Sequence, residues 1–393
     1  MRVAMVGPFG LRAKGTMGVR ALPLAKALAQ RGHELHMILP SWYHPEDAGR
    51  EWVEEGVAIC NIPLPSAAPG VQHLVAAGRM LRRVLDVRPD VVHCFKPKAH
   101  SGMVAMGLLC LRRLGIFQGR IVVDTDDWEG RGGWNEIEGY GAAQRALFAW
   151  QERWGLRHAD ALTVASRTLE SLAWSLGVSP SATHYLPNGV SCAKMGCGNG
   201  SRVREMYGLG ESLVILLYTR FFEYDLERVV TVLSRAVGQV PDARVLVVGR
   251  GLFGEEERFV ALARECGLHD AMVYAGWVSA EELPDYFACA DMAIYPFEDS
   301  LVNRAKCSVK LVDLLDAGLA VVADRVGQNR EYIENGASGL LPGDNKDGLV
   351  SAVVSVLTDE SLRLRLGAAA QERVRRAFGW PRLAEVAERA YGA

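Results

Sequence analysis

The chain predicts two α/β domains, each built on a doubly wound parallel sheet. Two observations carry this. Short apolar runs of strand length alternate with amphipathic runs of helix length, the order that produces parallel strands with crossover helices. The alternation occurs twice, separated by a Gly- and Ser-rich stretch, SCAKMGCGNGS, that reads as a linker. At 393 residues the chain also exceeds the size of one ordinary core.

The first set opens with RVAMV (2–6), followed by a helix over about 18–31 and the strands ELHMIL (34–39) and VAICNI (57–62). A basic helix covers 71–87. VVHCF (91–95) precedes an apolar helix over 101–114. IVVDT (121–125) and ALTVAS (161–166) complete the set, with a long helix between them. After YLPNGV (185–190) and the linker, LVILLYT (213–219), ARVLVVG (243–249), AMVYAG (271–276), DMAIYP (291–296) and LAVVAD (319–324) form the second set. The tail from about 349 is helical. Its final piece, WPRLAEVAERAYGA, has apolar spacing near 3.6 and is expected to pack on a domain surface. The expected boundaries are 1–187, 188–377 and a terminal helix, 378–393, with a ligand cleft where the two Rossmann-like domains face each other.

Composition narrows the function. Apolar residues make up 49% and charged residues 23%, and 44 basic against 46 acidic side chains give a net charge of −2. Bulk charge therefore does not drive nucleic-acid binding. Cys60, Cys94, Cys110, Cys192, Cys197, Cys266, Cys289 and Cys307 show no zinc-type C-x2-C pairing and are expected to be reduced and structural in a cytoplasmic protein. MRVAMVGPFG is broken too early by Gly-Pro for a signal peptide, and no run of about 18 apolar residues predicts a membrane span. The run HLVAAGRMLRRVLDVR (73–88) is basic and amphipathic and suits peripheral contact with an anionic membrane, although an ordinary surface helix is the plainer reading.

Five segments place chemistry at strand ends. The first turn, GPFGLRAKGTMG, is not G-x-G-x-x-G, but Gly15 and Gly18 would let backbone N–H groups approach a donor phosphate, with Arg12 and Lys14 nearby. VVHCFKPKAHSG offers His93 and Lys96, with Lys98 and His100, to an anionic acceptor. In VVDTDDWEGRGGWNE, Asp126 and Asp127 follow a strand; paired carboxylates there orient sugar hydroxyls, transfer protons or hold a divalent metal. Arg220 ends a strand, where its planar fork matches a diphosphate. FEDSLVNRAKCSVKLVDLLDAG then supplies Asn303, Lys306 and Lys310 at a helix N-terminus. The two lysines are four apart and share one side of a continuous helix, where a bound anion would relieve their conflict with the helix dipole. Asp313 lies a turn further in, within reach of ribose hydroxyls.

Taken in order, the Gly-rich first turn, RGHELHMI, PDVVH, YLPNGV, the strand ending in Arg220, LVVGRG, YAGWVSAEELPDYFACAD, KLVDLLDAGLAVVAD, VGQNREYI and GASGLL resemble glycosyltransferases of the family 4 type over nearly the whole chain. The resemblance implies the two-domain GT-B fold, with the terminal helix packing back on the N-terminal domain. It implies a nucleoside-diphosphate sugar held mainly by the second domain, transfer with retention, no obligatory metal and no cofactor. The first domain would meet a sugar, lipid or small-molecule acceptor. Arg220 matches the family's diphosphate-binding Arg. The basic residue expected soon after falls near Asp225, so Lys306 or Lys310 would replace it. The second acid of the E-x7-E pattern maps on Asp313. The first maps on Ala305, with Asn303 or Asp299 the nearest substitutes, and the family's His falls at about Asp126. These departures point to a divergent subgroup or a weakened catalyst. A nucleotide-sugar epimerase using Asp126, Asp127 and Glu136, and a non-catalytic nucleotide-sugar binder, are the alternatives.

Overall fold

A computed structural model describes residues 1–12, 15–68, 70–190, 198–343 and 345–393. Lys14, Cys192, Cys197 and most of the linker lie outside the described residues. The chain divides into two units, Met1–Gly189 with Ala305–Cys307 and Trp380–Ala393, and Val190–Arg304 with Ser308–Gly379.

In the first unit an 8-stranded sheet runs in the order β3-β4-β2-β1-β5-β6-β7-β8. Its strands are β1 (Arg2–Val6), β2 (Glu34–Pro40), β3 (Glu51–Glu54), β4 (Val57–Ile62), β5 (Val91–Phe95), β6 (Arg120–Thr125), β7 (Ala161–Val164) and β8 (Thr183–Tyr185). All pair in parallel except β3, an edge strand antiparallel to β4. The helices are α1 (Leu22–Gln30), α2 (Val71–Val87), α3 (Ala99–Arg113), α4 (Ala142–His158) and α5 (Arg167–Ser175). The expected helix over 18–31 begins instead with a π-helical turn, Met17–Ala21.

The β3 strand was absent from the sequence reading. EWVE sets Trp52 and Val53 between two glutamates on a half-exposed edge, and the chain reverses at Glu55 and Gly56, both at positive φ, as a tight hairpin requires.

The second unit holds a 5-stranded, all-parallel sheet, β11-β10-β9-β12-β13. Its strands are β9 (Leu213–Thr219), β10 (Ala243–Gly249), β11 (Met272–Gly276), β12 (Met292–Tyr295) and β13 (Ala320–Ala323). Helices α6 (Gly200–Met206), α7 (Leu226–Gln239), α8 (Glu255–Glu265), α9 (Leu283–Ala288), α10 (Leu301–Ala305), α11 (Val309–Asp316), α12 (Asn329–Tyr332), α13 (Lys346–Thr358) and α14 (Glu360–Phe378) connect and cover them. Central strands with both faces covered read as unbroken apolar runs, as LVILLYT does. Val214–Leu217 are accordingly buried.

The last helix, α15 (Trp380–Tyr391), returns to the first unit. Trp380, Leu383, Ala384, Ala387, Ala390 and Tyr391 join the core formed by β1, β2 and α1. This stripe at helical spacing is the one read from the tail. Cys60, Cys94, Cys289 and Cys307 are buried, but Cys110 and Cys266 are exposed, against the structural role expected of the cysteines. Among the described residues, no helix is long and apolar enough to cross a membrane.

Both sheets reverse strand order beside their first strand, between β1 and β5 and between β9 and β12. At such a switch point the outgoing loops diverge and leave a crevice at the carboxyl ends of the strands. Lys96, Asp126, Asp127 and Arg220 follow these ends directly, whereas His93 lies inside β5.

Candidate functional site

In the first unit, the charged residues at the switch point form a closed cluster. Lys96 follows β5 at φ 47 and Ala99, the first residue of α3, has φ 49, so the passage from β5 into α3 carries two non-glycine residues in the left-handed region. The turn aims the Lys96 ammonium at the end of β6, 3.2 Å from Asp126, 2.5 Å from Asp127 and 3.6 Å from Glu129. Lys98 Nζ lies 2.6 Å from Glu129 Oε1. Burial alone would favour neutral Lys96, but three carboxylates raise its pKa well above the usual lysine value. Burial likewise opposes charge on Asp126. Lys96, Arg20 and the Thr16 hydroxyl, which donates to its carboxylate, outweigh that and hold the group below the ordinary aspartate range.

Two expectations change here. Lys96 and Lys98 do not offer open charge to an acceptor, because both are buried among their own chain's carboxylates. His93 is not an acceptor-side group. It is fully buried, with Nδ1 2.9 Å from the Tyr391 hydroxyl and Nε2 3.0 Å from Thr163 Oγ1, and burial lowers its pKa to about 3. It is a neutral core histidine that ties α15 to the sheet.

Beneath this cluster lies a polar network absent from the sequence reading. Arg20, fully buried, donates to both oxygens of Asp124 at 2.8 and 2.6 Å, to Leu186 O at 2.7 Å and to Asn188 Oδ1 at 3.2 Å. Nothing in the sequence distinguishes Arg20 from a surface helix arginine. Glu152 of α4 is also buried. It accepts from Glu129 N at 2.7 Å and Thr125 Oγ1 at 3.1 Å, and burial with the neighbouring Glu129 pushes its pKa up to about 8.

Gly18 N–H bonds Gly15 O at 3.1 Å, and a Cβ on Gly18 would meet Leu11 O at 3.0 Å. A close backbone approach therefore suffices to explain glycine at position 18.

The second unit arranges its cations differently. Arg220 leaves the end of β9 in a tight turn, in which Phe222 N–H bonds Arg220 O at 2.9 Å and Phe221 sits at φ 66. The Phe221 ring is buried against Phe259 and Tyr274, so core packing holds the strained backbone. Gly249, at φ 135, lies against this turn, and any Cβ there would fall 1.9 Å from Thr219 O. The Arg220 guanidinium stands 5.3 Å from the Phe222 ring centre.

Lys310, in the first turn of α11, places Nζ 3.4 Å from the centre of the Tyr218 ring. Asp313 follows one turn later. Burial pushes its carboxyl up to about 7, opposed by Lys310 and assisted by Asp316. The Tyr218 phenol is itself raised by burial, then by Asp313, while Arg220 opposes the shift. Tyr218, Arg220, Lys310 and Asp313 thus share one electrostatic neighbourhood at the switch point. The first turn of α11 contains no acidic residue.

Lys306 and Lys310 do not share a helix. The chain breaks between α10 and α11, and Lys306 falls in the Ala305–Cys307 segment grouped with the first unit, where it is buried. No Gly or Pro marks the break, which is why the sequence read a continuous helix. Asn303 does not present its amide to a phosphate: both N–H groups bond backbone oxygens, Glu223 O at 2.7 Å and Glu298 O at 2.9 Å. Asp299 is paired with Arg304. Ala305 is fully buried. Asp225 caps α7, accepting from Arg228 N at 2.6 Å, which gives an acid at that position a structural role.

Comparison with known proteins agrees with this architecture. Residues 15–189 match the Glycosyl transferase 4-like domain, and residues 213–359 match Glycosyl transferases group 1. A phosphatidyl-myo-inositol mannosyltransferase of Mycolicibacterium smegmatis is 24% identical over 97% of this chain and 90% of its own length. A GDP-mannose-dependent alpha-(1-6)-phosphatidylinositol monomannoside mannosyltransferase of the same organism is 26% identical over 86% of this chain and 85% of its own. Among solved structures, sucrose-phosphate synthase from Thermosynechococcus elongatus superimposes with a TM-score of 0.75 at 20% identity, covering 100% of this chain and 98% of that one. A glycosyltransferase from Rickettsia africae gives 0.71 at 15%, covering 99% and 97%.

Proposed function

Because the chain belongs to the two-domain glycosyltransferases of the family 4 type, with the GT-B fold, we propose that it is a retaining mannosyltransferase. In this reading it moves mannose from GDP-mannose to a lipid-borne cyclitol or sugar acceptor, the donor and acceptor types named for its relatives. The observation that carries the reading is the grouping of Arg220, Lys310 and Asp313 around Tyr218 at the second sheet's switch point.

The bond from the anomeric carbon to the diphosphate breaks, a bond to the acceptor oxygen forms, and an oxygen of the departing diphosphate takes the acceptor's hydroxyl proton. Negative charge grows on the departing diphosphate. Arg220, Lys310 and the N–H groups opening α11 stabilise that charge, as fixed donors do most effectively in a preorganised site. The Asp313 carboxylate accepts from ribose hydroxyls. Asp126 and Asp127, held in place by Lys96, accept from hydroxyls of the donor sugar. Asp126 acts by orientation rather than proton transfer, since an efficient base titrates near the working pH and this carboxyl lies below the ordinary range. No step needs a metal or a cofactor. Lipid acceptors fit peripheral membrane contact through α2, where Leu74 and Val71 are exposed beside its arginines.

The test is nucleoside diphosphate release from a donor panel, with the anomeric configuration of the product read by NMR. Turnover with GDP-mannose and an α-linked product is expected. Equal turnover by wild type and Arg220→Ala would end the proposal. One observation favours a second reading, a non-catalytic nucleotide-sugar binder: buried Ala305 stands where the resemblance places an acid. Calorimetric donor binding without turnover across a broad acceptor panel would select it.

A further inference from the structure

A cavity of about 150 Å³ in the first unit is used by none of this chemistry. It opens where β2 and β4 end, beside the loop that follows β1, and Arg12, Ser41, Asp47, Arg50, Trp52 and Asn61 line it. Strand carboxyl ends are where open α/β sheets bind ligands. Pockets that enclose a drug-sized molecule run to about 300–1,000 Å³, so this one suits a single small ring and not a nucleotide.

Two of the lining residues carry buried oxygens that are left unpaired. Ser41 and Asn61 are 2% and 3% exposed, yet Ser41 Oγ and Asn61 Oδ1 have no hydrogen-bond partner among the described protein groups. Leaving such atoms unpaired costs about 1–3 kcal/mol each. Asn61 is held rigidly, because its Nδ2 donates to Asp47 O at 3.2 Å and its backbone N–H to Arg50 O at 2.9 Å. An amide oxygen accepts only, so it calls for a donor such as a hydroxyl.

Charge then excludes ions. Arg12 Nε lies 3.0 Å from Asp47 and Arg12 Nη1 3.6 Å from Glu46, while Arg50 lies 3.7 Å from Asp47. Asp47 in the wall and Glu46 just outside it answer the two arginines, so this group of four carries no net charge to attract a phosphate or a metal ion. Trp52, with the Arg50 guanidinium 5.3 Å from its ring centre, adds an aromatic wall. Balanced charge, unpaired oxygens and one aromatic side describe a site for a neutral polyhydroxyl ring.

We propose that this cavity is a subsite for one uncharged sugar or cyclitol ring of the acceptor. Its assignment to the acceptor rests on the transferase reading above; ring binding itself does not.

The experiment titrates the full-length protein with methyl α-mannoside and with myo-inositol, followed by ligand-observed saturation-transfer NMR. Wild type, Ser41→Ala and Asn61→Ala are compared after melting curves establish that they fold. Binding of a neutral ring is expected, weakened about five- to tenfold in each variant by loss of one hydrogen-bonding group. Should Asn61→Ala fail to fold, Ser41→Ala carries the comparison, since it removes only one oxygen. Equal binding by wild type and the folded variants, or no binding of either ring, overturns the proposal. Nucleoside diphosphate release to water by wild type is recorded in parallel. Ring binding lost in the variants supports the cavity assignment even if no donor is turned over, in which case it is the transferase reading that falls.

Discussion

The two switch points of this molecule hold similar residue types in opposite surroundings. In the first unit Lys96 is buried against Asp126, Asp127 and Glu129, and each charge is largely answered within the cluster. In the second unit Lys310 lies over the Tyr218 ring and Arg220 beside that of Phe222. An aromatic face attracts a cation by about 0.5–2 kcal/mol but carries no net charge. It fixes the direction of the cation, and the Lys310 charge also acts on Asp313, opposing the rise of its carboxyl pKa. The difference teaches that cations at equivalent strand ends can be held by different kinds of partner: carboxylates in the first unit, and aromatic faces with a neighbouring acid in the second.

The largest test of this contrast is Lys96→Met. Removing one partner from a buried ionic cluster costs about 3–5 kcal/mol, because the carboxylates remain buried without their counter-charge. Urea unfolding should register a loss of that size, and a change below about 1 kcal/mol would break the contrast.

Next is Arg220→Ala. Deleting one fixed donor to developing negative charge lowers turnover about 10²–10³-fold. Nucleoside diphosphate release should fall by that factor, with a smaller stability change than in Lys96→Met. A stability loss larger than the activity loss would place Arg220 with the first unit's structural cations.

Asp313 sharpens the contrast through pH. Its folded-state carboxyl keeps its proton up to about 7, against about 4 in an unfolded chain. The folded form therefore binds more protons between these values, and stability should fall as pH rises from about 4 to about 7. Nucleotide affinity should rise over the same range, as the ribose-accepting carboxylate forms. Asp313→Asn should flatten both slopes in chemical unfolding and nucleotide titration across that range.

The smallest effect belongs to Asp225→Ala. Loss of an N-cap costs about 1 kcal/mol, read as a shift in the unfolding midpoint. An equal fall in nucleotide affinity would show that Asp225 faces the ligand as well as capping α7.

The alternation of β and α segments was legible because its signals are local. The basic helix was read with the bounds of α2, and the apolar stripe of the tail is the face that α15 buries. Edge strand β3 was not legible, since two apolar residues between two glutamates are too short a run to tell an exposed edge from a loop. The break between α10 and α11 escaped because Lys306-Cys307-Ser308 carries no breaker residue. Candidate residues at strand ends could be named from spacing, but their partners could not. His93 and Lys96 stand three apart in one segment, yet one is a neutral core group and the other the centre of a charged cluster.

By itself the sequence determined two doubly wound sheets, their strand order in the chain, and the presence of Arg220, Lys310, Asp313, Asp126 and Asp127 near strand ends. Periodicity and propensity act over a few residues, so they can be read from a few residues. Only the tertiary structure decided which charges meet. Arg20 finds Asp124 across 104 residues, Lys96 finds Asp127 across 31, and Asn61 is left with an oxygen that no group of the described residues bonds. Those outcomes depend on burial, which raises the strength of every charge contact and the cost of every unpaired one, and burial is set by how the chain packs.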